Sequence, residues 1–312
     1  MLEIRSFLNA DLPRLADIWC IHHATYRSPP AVNEAIYEQA VAARLFFEPS
    51  RLLVAILDRK PIAWCQWFPG ADGVGSLEAF CYLTGPDADA AANEMLAFAE
   101  RSALIDGMNE LQVGVHFRSG RGYQGLDPVG HGVGVDVADD RTNTLLEAAG
   151  YQEKKRFDRW EVSTSNYRQP VSRDLLAIRR TMKIKNETVP FLTPEFAAGM
   201  IHFDVERYSL VDLRTNEIKA TIDVWTSDQE ASVMPASEAI LGAWSHPSEP
   251  TALSPDDTAL RHLLASVIPV LADRRIRSLQ RSVATDNTAE ATTLIATNFS
   301  RTSAGRLMSK RL

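Results

Sequence analysis

Residues 75–117 read GSLEAFCYLTGPDADAAANEMLAFAERSALIDGMNELQVGVHF and organise the first half of the chain. An apolar run over Leu77–Leu83 stops at Gly85–Pro86, because proline cannot continue a sheet ladder and glycine frees the turn. Apolar residues then recur at helical spacing, and either aspartate of the GPDAD turn is placed to cap that helix. A second apolar run, Leu111–Phe117, follows. The pattern predicts a βαβ unit whose two strands lie side by side in one sheet.

The second half of the chain repeats this order. The sequence Pro-Asp-Asp at 255–257 precedes an apolar stripe at helical spacing, and a predicted strand, Ser278–Val283, follows it. The pair Leu111–Gln112 has a counterpart in Leu279–Gln280, at nearly the same distance from the preceding proline. Chance similarity is the alternative, since βαβ units are common. We interpret the match as an internal repeat, which predicts two domains of one fold.

A chain of 312 residues is long enough for two domains that each have a hydrophobic core. The polar stretch Ser163–Ser172, which contains a proline, is the predicted linker. We therefore expect an N-terminal domain at 1–165 and a C-terminal domain at 166–312.

Charge and cysteine usage exclude several classes of protein. The net charge of −7 argues against a nucleic-acid-binding surface. Cys20, Cys65 and Cys81 lie far apart without metal-ligand spacing, and helix packing explains His22 and His23 without a metal. The N-terminus lacks the apolar core of a signal peptide, and no apolar run reaches membrane-spanning length. These features predict a cytoplasmic protein that uses no metal and has no nucleic-acid or membrane partner.

The first half reads as strand, two helices, hairpin, strand, helix, strand, helix and strand. Leu2–Phe7 is the first strand, about Val32–Phe47 is the second helix, and the hairpin turns at Asp58–Lys60. The closing helices end in a Gly or Asn followed by an aromatic residue, at Gly150–Tyr151 and Asn298–Phe299. This order resembles the GNAT acyltransferase superfamily, in tandem over nearly all of both halves.

The resemblance implies an α/β chain of mixed α+β type with two GNAT-like domains in tandem. Each domain would have a mixed, mostly antiparallel twisted sheet flanked by helices. It also implies an N-acetyltransferase activity, in which acetyl-CoA supplies the acyl group and an amine of a small molecule or peptide accepts it. The alternative is a catalytically inactive GNAT-like protein that binds a small ligand or a partner.

The acetyl-CoA motifs depart from the family pattern in both halves. The family's phosphate loop opens the main helix with glycines, but here the loops read GPDADAA at Gly85–Ala91 and PDDTAL at Pro255–Leu260. Acidic residues at a helix N-terminus repel a phosphate, and a capping role for them is favoured. In the second half the resemblance places the pyrophosphate near the N–H groups of Thr258 and Ala259, and the pantetheine arm near Asn287.

The resemblance also indicates which residues could handle protons. The family often uses a tyrosine on the closing helix to protonate the leaving thiolate, but the corresponding positions are Leu146 and Leu294. A glutamate on the strand before the main helix can serve as the base, and Glu78 and Glu238 lie on those strands. Glu78 is our candidate catalytic residue, and a solvent-facing strand glutamate is the alternative interpretation.

A glycine-rich insert, Arg118–Asp139, interrupts the first half. The stretch Gly120–Gly125 matches G-x-G-x-x-G, but a dinucleotide site requires that motif to open a helix, and none is predicted there. We expect a structured loop, a pocket wall or an interdomain contact. Tyr123, His116 and His131 lie in or beside the insert, where they could contact a ligand.

Overall fold

We describe a computed structural model of this chain. It describes residues 1–28, 32–115, 123, 126, 132–170, 173–188, 202–228, 233–245 and 258–312. Contacts group these residues into two compact units: Met1–Phe157 with Ala304–Leu312 form the first, and those between Asp158 and Ser303 form the second. The sequence places the domain boundary between 165 and 166. The contacts instead assign residues 158–165 to the second unit and the C-terminal segment to the first.

The helices and strands follow one another along the chain as listed here. They are β1 (Leu2–Ser6), α1 (Leu12–His23), α2 (Glu34–Tyr37, followed by a π-helical stretch Glu38–Ala42), β2 (Leu52–Leu57), β3 (Lys60–Pro69), β4 (Val74–Tyr82), α3 (Pro86–Ile105), β5 (Glu110–Val113), β6 (Val135–Asp136), α4 (Asp140–Ala148), β7 (Gln152–Ser163), α5 (Arg173–Thr181), β8 (Met182–Thr188), β9 (Phe203–Asp212), β10 (Ile218–Ser227), β11 (Glu238–Ser245), α6 (Thr258–Asp273), β12 (Ser278–Ala284), α7 (Thr288–Ala296) and β13 (Ser300–Arg311).

The sheet of the first unit has the strand order β1-β2-β3-β4-β5-β13, and β6 pairs with β13. Neighbouring strands are antiparallel except β4 and β5, which run parallel because α3 connects them. Helix α3 packs its apolar face against this sheet through Ala92, Met95 and Ala99, which are buried. Met308 of β13 belongs to the same core. The last strand of the chain is therefore an integral part of the first unit.

The second unit repeats the central part of this architecture. Its strand order is β7-β12-β11-β10-β9-β8, with β11 and β12 parallel and β8, β9, β10 and β11 antiparallel. Helix α6 connects the parallel pair and buries Leu260, Leu264 and Ile268 against the sheet. Both predicted βαβ units are present, and the mixed sheets flanked by helices confirm the predicted fold class.

The structure corrects several local predictions. The N-cap position of α3 is Gly85, whose φ is 116°, and neither Asp87 nor Asp89 caps the helix because Pro86 already opens it. The helix expected over Val32–Phe47 is shorter, covering Glu34–Tyr37 and a π-helical continuation. The sequence reasoning missed α5, β6 and β13. The short helix predicted at Pro194–Ile201 lies outside the described residues.

Within the described ranges, no helix is both long and apolar enough to span a membrane.

Glu110 of β5 bonds to side chains of β13 and of the part of β7 that belongs to the first unit. Its Oε1 accepts hydrogen bonds from Lys154 Nζ of β7 at 2.6 Å and from Ser309 Oγ of β13 at 2.7 Å. The pKa of Glu110 is lowered to about 2. The hydrogen bond from Lys154 contributes most to this shift, and the hydrogen bond from Ser309 contributes next. A depressed carboxyl pKa stabilises the fold above the unfolded value of 4.5, and this contribution is lost as the pH falls through about 2.

We predict that Glu110→Gln lowers the melting temperature at pH 7 and flattens its decline between about pH 4.5 and pH 2. Circular dichroism melts across that range measure both effects. Glu217→Gln is the control, since the Glu217 side chain is 60% exposed and forms a surface ion pair with Lys219. An unchanged acid dependence in Glu110→Gln would remove Glu110 from this role.

Candidate functional site

The parallel strands of the first unit separate partway along their length. The ladder between β4 and β5 ends at the pair Leu77 and Val113, where Gly114 N donates to Leu77 O at 3.1 Å. The next residue, Val115, instead accepts a hydrogen bond from Gly134 N at 2.7 Å. Gly114 has a φ of 108°, and a Cβ there would lie 2.7 Å from Val135 N. Only glycine therefore fits at position 114. Beyond Leu77 the two strands diverge, and β4 no longer has β5 as its neighbour.

Glu78 lies at a β-bulge where this separation begins. On β3, Gln66 pairs with Ala79 and Trp67 pairs with Leu77, so Glu78 has no residue opposite it. The Glu78 residue is only 3% exposed, and its Oε1 accepts a hydrogen bond from Ser76 Oγ at 3.4 Å. The alternative of a solvent-facing strand glutamate is therefore wrong.

A cavity of about 50 Å³ lies between the separated strands. A single water needs about 10–15 Å³ of such space, so the cavity has room for a small reacting group. The side chains with ionisable groups around it are His22, His23, Tyr26, Arg27, Glu78, Cys81, Asp136 and Asp139. The cavity therefore combines small volume with several proton donors and acceptors.

His22 and Asp139 form a buried pair at this cavity. His22 is 1% exposed and Asp139 is 4% exposed, and His22 Nε2 lies 3.1 Å from Asp139 Oδ2. Asp139 also caps α4 by accepting a hydrogen bond from Thr142 N at 3.1 Å. Burial acts to raise the pKa of Asp139. The hydrogen bonds of His22 and Thr142 and the charge of His22 outweigh it, so the pKa lies below its ordinary value.

A second chain of polar groups borders the cavity. His23 Nδ1 lies 2.5 Å from Tyr26 Oη, and His23 Nε2 lies 3.9 Å from Cys81 Sγ. Burial lowers the pKa of His23, and so do nearby His22 and Arg27. Burial likewise raises the pKa of the Cys81 thiol. Both groups are therefore held neutral.

Tyr123 of the glycine-rich insert lies in the protein interior and does not line the cavity. It is fully buried, its Oη donates to Gln66 Oε1 at 2.5 Å, and Tyr37 Oη lies 3.0 Å from it. It is not among the residues around the cavity. His116 and His131 lie outside the described residues.

At the start of α3, where the sequence predicts the phosphate loop, an aspartate forms an ion pair. Asp89 Oδ1 accepts a hydrogen bond from Arg141 Nη2 at 2.8 Å, and the same nitrogen donates to Leu83 O at 2.7 Å. The Arg141 guanidinium also stacks over the Tyr82 ring at 4.4 Å from its centroid. The acidic turn is thus partly neutralised by a cation from α4.

In the second unit, a side chain fills the corresponding position between the parallel strands. The β11–β12 ladder ends at Ile240 and Gln280, and the next residue, Arg281, is 6% exposed. Its Nη1 donates to Leu241 O at 2.9 Å and also to the carbonyl oxygen of the following glycine, Gly242. Its guanidinium forms a buried ion pair with Glu290, which is 7% exposed. The edge of β11 is therefore bonded to an arginine of the same chain.

The residues proposed to bind CoA in the second unit lie at two helix starts. Thr258 and Ala259 begin α6, and Asn287 is the N-cap of α7. Asn287 Oδ1 accepts from Glu290 N at 3.2 Å, and its Nδ2 donates to Glu290 Oε2 at 2.6 Å. Glu238 lies at the start of β11 and accepts a hydrogen bond from Gln280 Nε2 at 3.1 Å. The structure thus engages Asn287 in helix capping beside the Arg281 ion pair.

Sequence reasoning missed three residues of these sites. The sequence pattern explains His22 by helix packing and places Asp139 at the end of a loop and Arg281 within a strand. For Asp139 a signal was present, since an aspartate before a predicted helix is an N-cap candidate. Among the described residues, no group of three or more His, Cys, Asp or Glu side chains could hold a metal ion.

Removing one member of the Arg281–Glu290 pair should destabilise the second unit strongly, because an uncompensated buried charge remains. We expect Glu290→Gln to cost about 3–5 kcal/mol, and the double variant Arg281→Leu with Glu290→Leu to cost less than the two single changes together. Urea unfolding followed by circular dichroism measures these free energies. Lys219→Met, at an exposed ion pair, is the control and should change stability by about 1 kcal/mol or less. Additive single effects would contradict the coupling.

Comparison with known proteins supports the fold. No protein-family model matches the sequence, and a search of curated proteins finds no match. Among solved structures, a tandem GNAT protein from the clavulanic acid biosynthesis pathway, solved without AcCoA, has 11% identity and a TM-score of 0.67, covering 100% of this chain and 98% of that one. A GCN5-related N-acetyltransferase from Sphaerobacter thermophilus has 12% identity and a TM-score of 0.65, covering 99% and 95%.

A putative acetyltransferase from Pyrococcus horikoshii has 10% identity and a TM-score of 0.55, covering 100% of this chain and 89% of that one. At these identities the likeness concerns the fold. The chain therefore carries the GNAT N-acetyltransferase fold in tandem.

Proposed function

We propose that the first unit is an N-acyltransferase that transfers an acetyl group from acetyl-CoA to an amine of a small molecule or peptide. The observation that carries this proposal is the buried carboxylate of Glu78 at the bulge where β4 and β5 separate, beside a cavity of about 50 Å³. A buried carboxylate next to a small cavity is suited to accept a proton from a group held there. The fold supports the assignment by analogy.

The second unit supports this assignment by contrast. Its parallel strands end their ladder in the same way, but the Arg281 guanidinium bonds to the carbonyl groups of Leu241 and Gly242. A ligand that used those carbonyl groups would have to displace a buried ion pair, which costs several kcal/mol. We therefore assign the chemistry to the first unit.

The residues of the first unit fit acetyl-CoA better at its acyl end than at its phosphate end. When bound, acetyl-CoA supplies an activated acyl carbon and a sulfur leaving group. The separated edges of β4 and β5 and the small cavity suit the acyl end, and the aliphatic walls Leu77 and Val113 exclude water. At α3, Arg141 would contact the phosphate groups, while Asp87 and Asp89 oppose them.

Within this site, Glu78 would act as the general base. An amine attacks an acyl carbon only through its neutral form, so a carboxylate must remove the ammonium proton or the proton released during transfer. Positioning of the two reactants in one small cavity supplies a further part of the rate, without any covalent role for the protein.

A second candidate function is ligand binding without catalysis. The observation that favours it is the acidic start of α3, where Asp87 and Asp89 disfavour a bound phosphate. Position 146, where the resemblance would place a proton-donating tyrosine, is a leucine buried in the core. This also favours binding without catalysis. Calorimetric titration with acetyl-CoA, followed by an assay for released thiol with a panel of amines, separates the two functions: binding without thiol release supports the second.

We expect Glu78→Gln to lower kcat at neutral pH by about 100-fold or more, because the amide keeps the shape of the side chain and removes the base. Affinity for acetyl-CoA should hardly change, since Glu78 would act on the acceptor. Initial-rate kinetics and calorimetry measure both quantities. Glu238→Gln, on the corresponding strand of the second unit, is the control and should keep full activity. Unaltered kcat and pH profile in Glu78→Gln would remove Glu78 from the mechanism.

The second-unit site at Thr258, Ala259 and Asn287 stays a prediction and has a test of its own. If CoA binds there, Asp256→Gly combined with Asp257→Gly should tighten binding, because two like charges next to the pyrophosphate are removed. Calorimetric titration with CoA measures the change. Unchanged or weaker affinity in the double variant would count against the second unit and leave the first as the binding unit.

A further inference from the structure

We propose that His22 is the general acid that gives a proton to the sulfur leaving group, and that Asp139 is its positioning residue. This assignment rests on the proposed acyl transfer in the first unit. It fills a chemical role that the proposed site leaves open, because a positioned general acid that protonates the departing sulfur lowers the barrier to its release.

At the positions of the closing helices where the resemblance would place a tyrosine, this chain has leucine. Leu146 of α4 and Leu294 of α7 are both fully buried and carry no ionisable group. The acid must therefore come from another side chain around the cavity. Apart from Glu78, the proton-carrying side chains there are His22, His23, Tyr26, Cys81 and Arg27.

The neighbours of His22 are poorly suited to release a proton. Burial raises the pKa of Tyr26 far above its ordinary value, and Asp139 and Asp136 raise it further. Burial likewise raises the pKa of Cys81. Burial lowers the pKa of His23, so its ring is held neutral, and its two nitrogens lie at hydrogen-bond distances from Tyr26 and Cys81. Arginine side chains do not deprotonate in proteins.

The surroundings of His22 satisfy the ring in both protonation states. Nε2 lies 3.1 Å from Asp139 Oδ2, so this nitrogen keeps its proton and donates to the carboxylate. Nδ1 lies 3.3 Å from Tyr82 O and 3.4 Å from Tyr82 N. A protonated Nδ1 donates to the carbonyl, and a bare Nδ1 accepts from the N–H. The ring can therefore lose its Nδ1 proton without leaving a buried polar group unpaired.

Asp139 is fixed in the orientation that this role requires. Its Oδ1 accepts the hydrogen bond from Thr142 N at the start of α4, which directs Oδ2 to His22. The pKa of Asp139 lies below its ordinary value despite burial, so the carboxylate stays ionised and favours a charged imidazole beside it. The same function of a buried aspartate beside a catalytic histidine is well established in other enzymes.

Ionisable groups from each element packed around His22 lie near its ring. They are His23 from α1, Tyr26 and Arg27 from the turn that follows α1, Glu78, Cys81 and Tyr82 from β4, and Asp136 and Asp139 from the segment before α4. Three of these groups are carboxyls, and Arg27 is the permanently charged cation around the cavity within the part of the chain that is described.

The transfer balances with these two groups. The bond from the amine nitrogen to the acyl carbon forms, and the bond from the acyl carbon to sulfur breaks. The amine gives its proton to the Glu78 carboxylate, and the sulfur takes the Nδ1 proton of His22. Exchange with water then returns a proton to His22 and removes one from Glu78, so the site is restored without any oxidant or reductant.

The test combines kinetics with a measurement that needs no acyl donor. His22→Gln should lower kcat by about 100-fold and remove the alkaline limb of the pH–rate profile, while Glu78→Gln removes the acid limb. Nitrogen NMR of the histidine side chains in the free protein should show Nδ1 of His22 titrating, with a lower pKa in Asp139→Asn. His262→Gln, at a buried histidine of α6, is the control and should keep both limbs.

Each outcome decides between the proposals. An active wild type with an intact alkaline limb in His22→Gln would overturn the assignment of His22 and leave the proposed function standing. If the alkaline limb is lost in Tyr26→Phe and kept in His22→Gln, the general acid is Tyr26. A wild type that releases no thiol with any acceptor would overturn the proposed function, and the assignment of His22 with it. If His22→Gln does not fold, a His22 that fails to titrate in the wild-type NMR spectra overturns the assignment.

Discussion

The early end of the parallel ladder is the constraint on which the rest of the chain depends. In each unit the two central strands bond to one another over only a few residues, Val74–Leu77 with Glu110–Val113 and Glu238–Ile240 with Ser278–Gln280. Beyond that point, the N–H and C=O groups along the strand edge need other partners, because a buried backbone group without one costs about as much as a lost hydrogen bond. How each unit supplies those partners decides what it is able to do.

The two units supply them differently. In the first, the imidazole of His22 contacts the N–H and C=O of Tyr82, and a small cavity remains beside Glu78. In the second, the guanidinium of Arg281 bonds to two successive carbonyl groups and pairs with Glu290. A histidine can exchange a proton at neutral pH, whereas a buried arginine in an ion pair keeps its charge. The same structural need is therefore met by an imidazole in one unit and by a guanidinium in the other.

The sequence predicted the regular parts of the fold and missed the contacts that join distant segments. Spacing along the chain located both βαβ units, both hairpins and the glycine or asparagine that ends each closing helix. It could not show that Glu78 is at a bulge, because a bulge is defined by the register of a neighbouring strand. Nor could it pair His22 with Asp139, which are far apart in sequence. Strand β13 was missed because the polar, basic sequence Ser300–Arg311 has a weak alternation of apolar residues.

The path of β13 has a consequence for how the protein is made. Its later residues, Ala304–Arg311, complete the sheet of the first unit by pairing with β5 and β6. A ribosome adds about 5–20 residues per second, so the segment between Phe157 and Ala304 takes about 7–30 s to appear. During that time the edge of β5 that pairs with β13 has no partner strand. An unpaired strand edge can pair with strands of other chains. The first unit is therefore exposed to mispairing until the last strand has been made.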